Sequence, residues 1–256
     1  MISRNLRIIA RLDIKNEHVI KGVHLEGLRK IGNPIELAEK YYNQGVDEFF
    51  FMDAVASLYG RNNLFHIIEE CCKKIFVPIT IGGGIRSISD IELALLTGAD
   101  KIAINTQAVL TPNIIQEASR IYGSQCIVGS IEAKRKSKSW EVYIENGREK
   151  TGKDVIEWSK SLEQLGVGEL LVTSIDKDGT RKGFDNELMN AIADVVSVPL
   201  IASGGCGGVE DVVNLSSANS KIDGVALASV FHYDVGTPID IKSQLSARNI
   251  NTRLFL

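Results

Sequence analysis

Two carboxylates stand at the ends of short apolar runs: Asp13 near the end of residues 7–14, and Glu132 just after residues 126–131. Paired carboxylates facing each other across a substrate act as general acid and general base when their surroundings push the two pKa values apart. Two other runs lead into glycine, in Ile81-Gly82-Gly83-Gly84-Ile85-Arg86-Ser87 and Ala202-Ser203-Gly204-Gly205-Cys206-Gly207-Gly208. Glycine lets backbone N–H groups approach an anion, and a following helix N-terminus adds a favourable dipole, so each run can cradle a phosphate. Neighbouring runs end in Asn105-Thr106 and Ala228-Ser229, and Asp176-Lys177-Asp178-Gly179-Thr180 completes the second cradle through the Gly179 and Thr180 backbone. Two opposed cradles imply an elongated substrate with a phosphate at each end. Asp13 and Glu132 then belong between them; the alternative for either is a structural ion pair, since Lys15, Lys21, Lys134 and Arg135 lie nearby.

Other chemistries find no support in the spacing. His18, His24, His66 and His232 do not fall on these run ends as a triad would require, and no Glu-x-x-His or Cys-x-x-Cys pattern offers a metal site, so neither metal nor cofactor is expected. Cys71, Cys72, Cys126 and Cys206 read as small core residues in a reducing compartment. A net charge of -3, from 29 basic and 32 acidic residues, supplies no global field for nucleic acid or an anionic membrane. Arg4, Arg7 and Arg11 interrupt any signal-peptide core and no long apolar span follows, so a cytoplasmic location is expected.

The elements that must position these groups alternate almost end to end. Strands are expected at residues 7–14, 48–53, 77–81, 101–105, 126–131, 169–174, 200–203 and 224–228, with helices at 34–43, 64–74, 88–96, 112–121, 154–165 and 187–195. Strands separated by helices predict right-handed parallel crossovers, and this number of them predicts an α/β fold that closes as a (β/α)8 TIM barrel. One domain over residues 1–256 accommodates it. The chain also repeats: Gly45-Val46-Asp47-Glu48 is matched by Gly166-Val167-Gly168-Glu169, and Val77-Pro78-Ile79 by Val198-Pro199-Leu200, at one common offset. Half-barrels of about 1–123 and 124–256 follow. Residues 16–33 form a long connection with Gly22, Gly27 and Gly32, suited to a lid, and residues 139–151 read as a hairpin with an Asn146-Gly147 turn. Barrel active sites lie at the C-terminal ends of the strands, where the residues above converge. At the opposite ends Arg7, Glu48, Lys101 and Glu169 each open a strand, and on residue type alone they read as a solvated rim.

Several of these segments carry a family likeness that spans essentially the whole chain. Arg7-Ile8-Ile9, Leu12-Asp13-Ile14-Lys15, Val19-Ile20-Lys21-Gly22, the run from Gly82 through Ser87, Ala99-Asp100-Lys101, Ile104-Asn105-Thr106, Gly123-Ser124-Gln125-Cys126, the stretch from Ser174 through Thr180 and Ala228-Ser229-Val230-Phe231-His232 resemble the cyclase subunits of imidazole glycerol phosphate synthase. The resemblance implies a barrel that forms a heterodimer with a glutaminase subunit and takes ammonia from it. That ammonia is joined to a bis-phosphorylated ribulosyl aminoimidazole carboxamide nucleotide, releasing imidazole glycerol phosphate and the AICAR nucleotide. It further implies Asp13 as catalytic acid/base, with phosphate contacts at Gly84, Asn105 and Thr106 in one half and at Asp178, Gly179, Gly205, Ala228 and Ser229 in the other. Arg7, Glu48, Lys101 and Glu169 become a charged gate for ammonia, and Asp100 a contact to the glutaminase.

Two departures stand out. The family's second catalytic residue is an aspartate, here Glu132, and its usual cysteine before Leu12 is here Arg11. A carboxylate displaced by about 1 Å can cost on the order of 100-fold in rate, so slowed standard cyclisation is expected. Ala10-Arg11-Leu12-Asp13, Leu25-Glu26-Gly27-Leu28-Arg29 and the stretch from Val55 to Asn63 are closer to a paralogous branch, the glycosyl-amidation-associated proteins of bacterial surface-polysaccharide clusters. That likeness implies delivery of ammonia to a sugar amidotransferase as a further partner. The histidine-pathway cyclase is the alternative, and a related single-chain sugar isomerase fits less well because it needs no ammonia entrance.

Overall fold

The computed structural model describes residues 5–54 and 64–253. The stretch 55–63, part of the likeness to the surface-polysaccharide branch, lies outside the described residues. The short apolar runs become β1 (Arg7–Lys15), β4 (Glu48–Asp53), β5 (Ile79–Gly82), β6 (Lys101–Ile104), β7 (Ile127–Lys136), β10 (Glu169–Ser174), β11 (Leu200–Ser203) and β12 (Ile222–Leu227). All pair in parallel in the order β1, β4, β5, β6, β7, β10, β11, β12, and β12 pairs again with β1. The sheet is therefore a closed barrel, as the alternation of elements predicts.

Period-two alternation assigns each strand an inner and an outer face. On β1, Ile8, Ala10, Leu12 and Ile14 pack outward with the main core, while Ile9 joins Phe50, Ala103, Val128, Leu171, Ile201 and Ala226 in a separate apolar cluster. That cluster is the dry middle of the barrel. Arg7 lies below it, and Arg11 and Asp13 lie above it, on the same face of β1.

The crossover helices are α1 (Pro34–Asn43), α2 (Leu64–Cys72), α3 (Ile88–Leu96), α4 (Thr106–Leu110), α5 (Asn113–Tyr122), α6 (Val155–Leu165), α7 (Asn186–Ala193), α8 (Val209–Ala218), α9 (Ser229–His232) and α10 (Pro238–Ser246). Their starts follow from local chemistry. Asn33 accepts from the Ile35 and Glu36 N–H groups ahead of Pro34, and Asp154 does the same for Ile156 and Glu157. Strand starts are tied by aspartates: Asp47 accepts from Ile8 N–H at 2.8 Å, Asp100 from Ile79 N–H at 2.8 Å and Asp223 from Leu200 N–H at 3.1 Å. None of the helices among the described residues is long and apolar enough to cross a membrane.

Two insertions decorate the C-terminal mouth. The long connection read as suited to a lid forms the hairpin β2 (His18–Val23) and β3 (Glu26–Gly32), with β2 antiparallel to the extended end of β1 through Asp13↔Ile20 and Ile14↔Val19. Apolar Val19 and Ile20 are buried by this pairing, which explains why the segment is a sheet. The second hairpin, β8 (Ser139–Ile144) and β9 (Glu149–Asp154), turns at Asn146-Gly147 as the sequence predicts and extends from β7. Asn105 and Ala228, expected as strand ends, lie just past β6 and β12 and precede the short helices α4 and α9.

Candidate active site

Asp13 and Glu132 both reach the C-terminal mouth and both are buried. Their surroundings differ. Arg11 Nε donates to Asp13 Oδ1 at 2.8 Å, and Lys21 Nζ stands 3.9 Å from Oδ2. Burial opposes the Asp13 charge, but Arg11 and Lys21 outweigh it and hold the carboxyl below its usual range. Glu132 has no such cation in contact among the described residues. Burial pushes its pKa up to about 7, against the pull of Arg11 and of the Gly147 N–H, which donates to Oε2 at 2.7 Å. One carboxylate is thus kept ionised while its partner titrates near neutrality, the division an acid/base pair requires.

The two glycine turns share one geometry. Gly83 and Gly84 have φ of 88° and 72°, and their counterparts Gly204 and Gly205 have 92° and 103°. A Cβ on Gly205 would meet the Gly183 carbonyl oxygen at 2.1 Å, so both conformation and space demand glycine there. Asn105 (φ -115°, ψ -81°) and Ala228 (φ -126°, ψ -71°) match as well, each leading into its short helix. Gly84, Asn105, Thr106 and Glu132 line a cavity of about 120 Å³, together with Asp53 and Arg11. Asp178, Gly179, Gly205, Ala228 and Ser229 line a smaller one of about 20 Å³, together with Lys21 and again Arg11. That second cavity is tight because the β2–β3 hairpin lies on it: His24 N–H donates to the Asp178 carbonyl at 2.9 Å.

Some side chains stand differently from a simple phosphate contact. The Asp178 carboxylate accepts from Lys21 Nζ at 2.7 and 2.8 Å, so Lys21, which the sequence offered only as a neighbour of Asp13, joins Arg11 as a cation on that cavity. Asn105 donates its amide to the Tyr143 carbonyl at 3.2 Å. Arg11 Nη1 donates to Thr173 Oγ1, which no local motif marked, and to Ser203 Oγ, which the second glycine run contains but did not single out. Their inward positions on β10 and β11 were the available signal. His232 is neutral, its pKa pushed down to about 4 by burial, and its Nδ1 is 2.9 Å from the Tyr41 hydroxyl. No group of His, Cys, Asp or Glu that could hold a metal occurs among the described residues.

At the far end of the barrel the charges form a ring rather than a solvated rim. Arg7 bonds Glu48 Oε1 at 2.9 Å and Glu169 Oε1, and Lys101 Nζ bonds Glu48 Oε2 at 3.2 Å and Glu169 Oε2 at 3.1 Å. Burial opposes the Arg7 charge, yet Glu169 and Glu48 raise its pKa further. Exposed Asp100 sits next to Lys101 on the same rim.

A closed barrel with paired carboxylates and glycine turns at its C-terminal mouth defines a (β/α)8-barrel enzyme. Residues 7–237 match the family described as "Histidine biosynthesis protein". The imidazole glycerol phosphate synthase subunit HisF of Legionella pneumophila is 57% identical over 208 residues, covering 81% of this chain and 98% of that protein. The subunit of the same name from Lactococcus lactis subsp. lactis (strain IL1403) is 43% identical over 250 residues, 97% of this chain and 96% of that one. The chain belongs to the histidine biosynthesis protein family, and it is an enzyme subunit.

Proposed function

We propose that the chain is the ammonia-accepting cyclase barrel of imidazole glycerol phosphate synthase. It joins ammonia to the bis-phosphorylated ribulosyl aminoimidazole carboxamide nucleotide and releases imidazole glycerol phosphate and the AICAR nucleotide. The observation that carries this reading is the pairing of two like-shaped glycine turns at one mouth, with Glu132 lining the first cavity and Asp13 bonded to Arg11, which lines both. Gly84, Asn105 and Thr106 hold one phosphate. Gly179, Gly205, Ala228 and Ser229 hold the other, helped by Lys21 in the grip of Asp178. Residues 1–123 and 124–256 are read as duplicated halves, each contributing one cradle.

The Arg7, Glu48, Lys101 and Glu169 ring admits ammonia from a glutaminase subunit docked at the N-terminal rim, with Asp100 in the contact. Beyond the ring only neutral ammonia passes the apolar layer of Ile9, Phe50 and Leu171, because a bare ammonium ion there would be costly. At the mouth its nitrogen bonds to the ribulosyl carbonyl carbon. Asp13 takes one proton from the nitrogen and passes it to the oxygen, Glu132 gives the oxygen its second, and the oxygen leaves as water while the nitrogen's other proton restores Glu132. The nitrogen then closes on the one-carbon bridge of the substrate, and that bridge's bond to the AICAR nitrogen breaks, the departing nitrogen taking up the protons that the new ring loses.

A second reading places the barrel in surface-sugar amidation, handing ammonia to a sugar amidotransferase. It rests on Arg11 beside Asp13 and on the longer Glu132. Steady-state release of the AICAR nucleotide from the bis-phosphate substrate and ammonium salt separates them. Turnover at ~1 s⁻¹ or faster is expected for the cyclase. Absent turnover with intact substrate binding would overturn it in favour of delivery.

A further inference from the structure

Arg11 lies inside the barrel with its side chain almost wholly buried, and it lines both cavities at once. Its donors are unevenly used. Nε takes Asp13 at 2.8 Å, Nη1 takes Thr173 Oγ1 at 2.7 Å and Ser203 Oγ at 3.2 Å, and Nη2 makes no hydrogen bond to the described residues. Holding Asp13 ionised accounts for the Nε bond but not for the two hydroxyls that fix Nη1. Acceptors on β1, β10 and β11 instead lock the guanidinium plane in one orientation, with one nitrogen left to donate. Fixed donors of this kind stabilise charge that develops during a reaction, because they need no reorganisation.

We infer that Arg11 is a substrate-contacting residue of this site, a third anchor midway between the two phosphate cradles, whose Nη2 donates to the substrate's carbonyl oxygen. The inference rests on the proposed cyclase reading and adds a group to it. As the nitrogen–carbon bond forms, the carbonyl π pair moves to oxygen, and Nη2–H meets that developing negative charge while Arg11 keeps its proton. The proton that completes the departing water comes from Glu132. The substrate class is therefore a bis-phosphate with a ketone or comparable acceptor in its centre, not a bis-phosphate of any kind.

Arg11→Met and Arg11→Lys test this, with calorimetric binding of the bis-phosphorylated ribulosyl nucleotide, of inorganic phosphate as a probe of the cradles, and kcat with ammonium salt. For Arg11→Met, nucleotide affinity is expected to fall about 10- to 100-fold with phosphate affinity unchanged, and kcat to fall about 100-fold or more. Arg11→Lys keeps the charge but lacks the planar fork, so it is expected to restore only a minor part of kcat. If Arg11→Met does not fold, Arg11→Lys carries the comparison. A folded Arg11→Lys with unchanged nucleotide affinity and kcat, or equal losses for nucleotide and phosphate, would overturn the inference alone. A wild-type protein that fails to bind the nucleotide would overturn the cyclase reading and this contact together.

Discussion

Arg11 and Asp13, two residues apart on β1, form a buried ion pair at 2.8 Å, and that pair decides which carboxylate of the mouth keeps its charge. Asp13 is held ionised. The protonation of Glu132, with no cation in contact among the described residues, becomes the pH-sensitive feature of the site.

Stability should register this. Glu132 has a folded pKa of about 7 against an ordinary 4.5, so its contribution is fully present below the lower value and is lost as pH rises through 7. The loss is roughly 3 kcal/mol. Glu132→Gln is expected to flatten that decline in urea unfolding measured from pH 5 to 8; an unchanged pH dependence would mean the carboxyl is ionised throughout.

The extra methylene of Glu132 has a partner in the fold. Gly147, at the β8–β9 turn, donates its N–H to Oε2 at 2.7 Å, so the longer arm is seated, not adrift. This bears on the slowed cyclisation expected from the sequence. Glu132→Asp withdraws the carboxylate from that amide and is expected to lower AICAR release on the order of 100-fold. Equal release would contradict this seating role, and faster release by the aspartate variant would restore the view that the glutamate impairs the reaction.

Removing one member of the charged ring should be felt as lost stability. Arg7→Ala leaves Glu48 and Glu169, with side chains 9% and 7% exposed, sharing Lys101 as the one cation among the described residues. A cost of about 3 kcal/mol is expected, seen as a Tm lower by roughly 6–10 °C in calorimetry. Glutamine-dependent turnover with the partner subunit should fall further than turnover on ammonium salt. Equal falls would remove the gate assignment.

The cradles are backbone devices, so a single methyl is a sharp probe. Gly205→Ala forces a Cβ against the Gly183 carbonyl at a φ of 103°; about 2 kcal/mol of stability and about tenfold in inorganic phosphate affinity are the expected losses. Gly208→Ala is the control, since that residue is extended, with φ 173° and nothing within 4 Å of an added Cβ. Matching losses in the two variants would argue against a cradle at Gly205.

Much of the barrel was legible because it is written locally. Apolar runs such as Glu48–Asp53 and Leu200–Ser203 stand between turn signals, and the match of Gly83-Gly84 to Gly204-Gly205 survives as matching φ values. Asp13 and Glu132 were found because barrel sites lie at strand ends. What stayed hidden depends on partners far apart in the chain. The Lys21–Asp178 pair joins residues 157 apart, and Arg11 meets Thr173 and Ser203 only because β1, β10 and β11 curve around one axis. The β2–β3 hairpin was missed as a sheet because its register is set by β1 continuing to Lys15, beyond the barrel. The ring of Arg7, Glu48, Lys101 and Glu169 shows the same limit: residue types gave a rim, and only closure of the barrel brings them into contact.

The most direct test of the acid/base pair is kcat/KM against pH for the bis-phosphate nucleotide at constant free ammonia, in wild type, Asp13→Asn and Glu132→Gln. A fall above pH 7 in wild type that vanishes in Glu132→Gln, with Asp13→Asn slowed about 100-fold or more at every pH, is the expected result. A wild-type profile flat through pH 7, or an Asp13→Asn variant of ordinary activity, would contradict it.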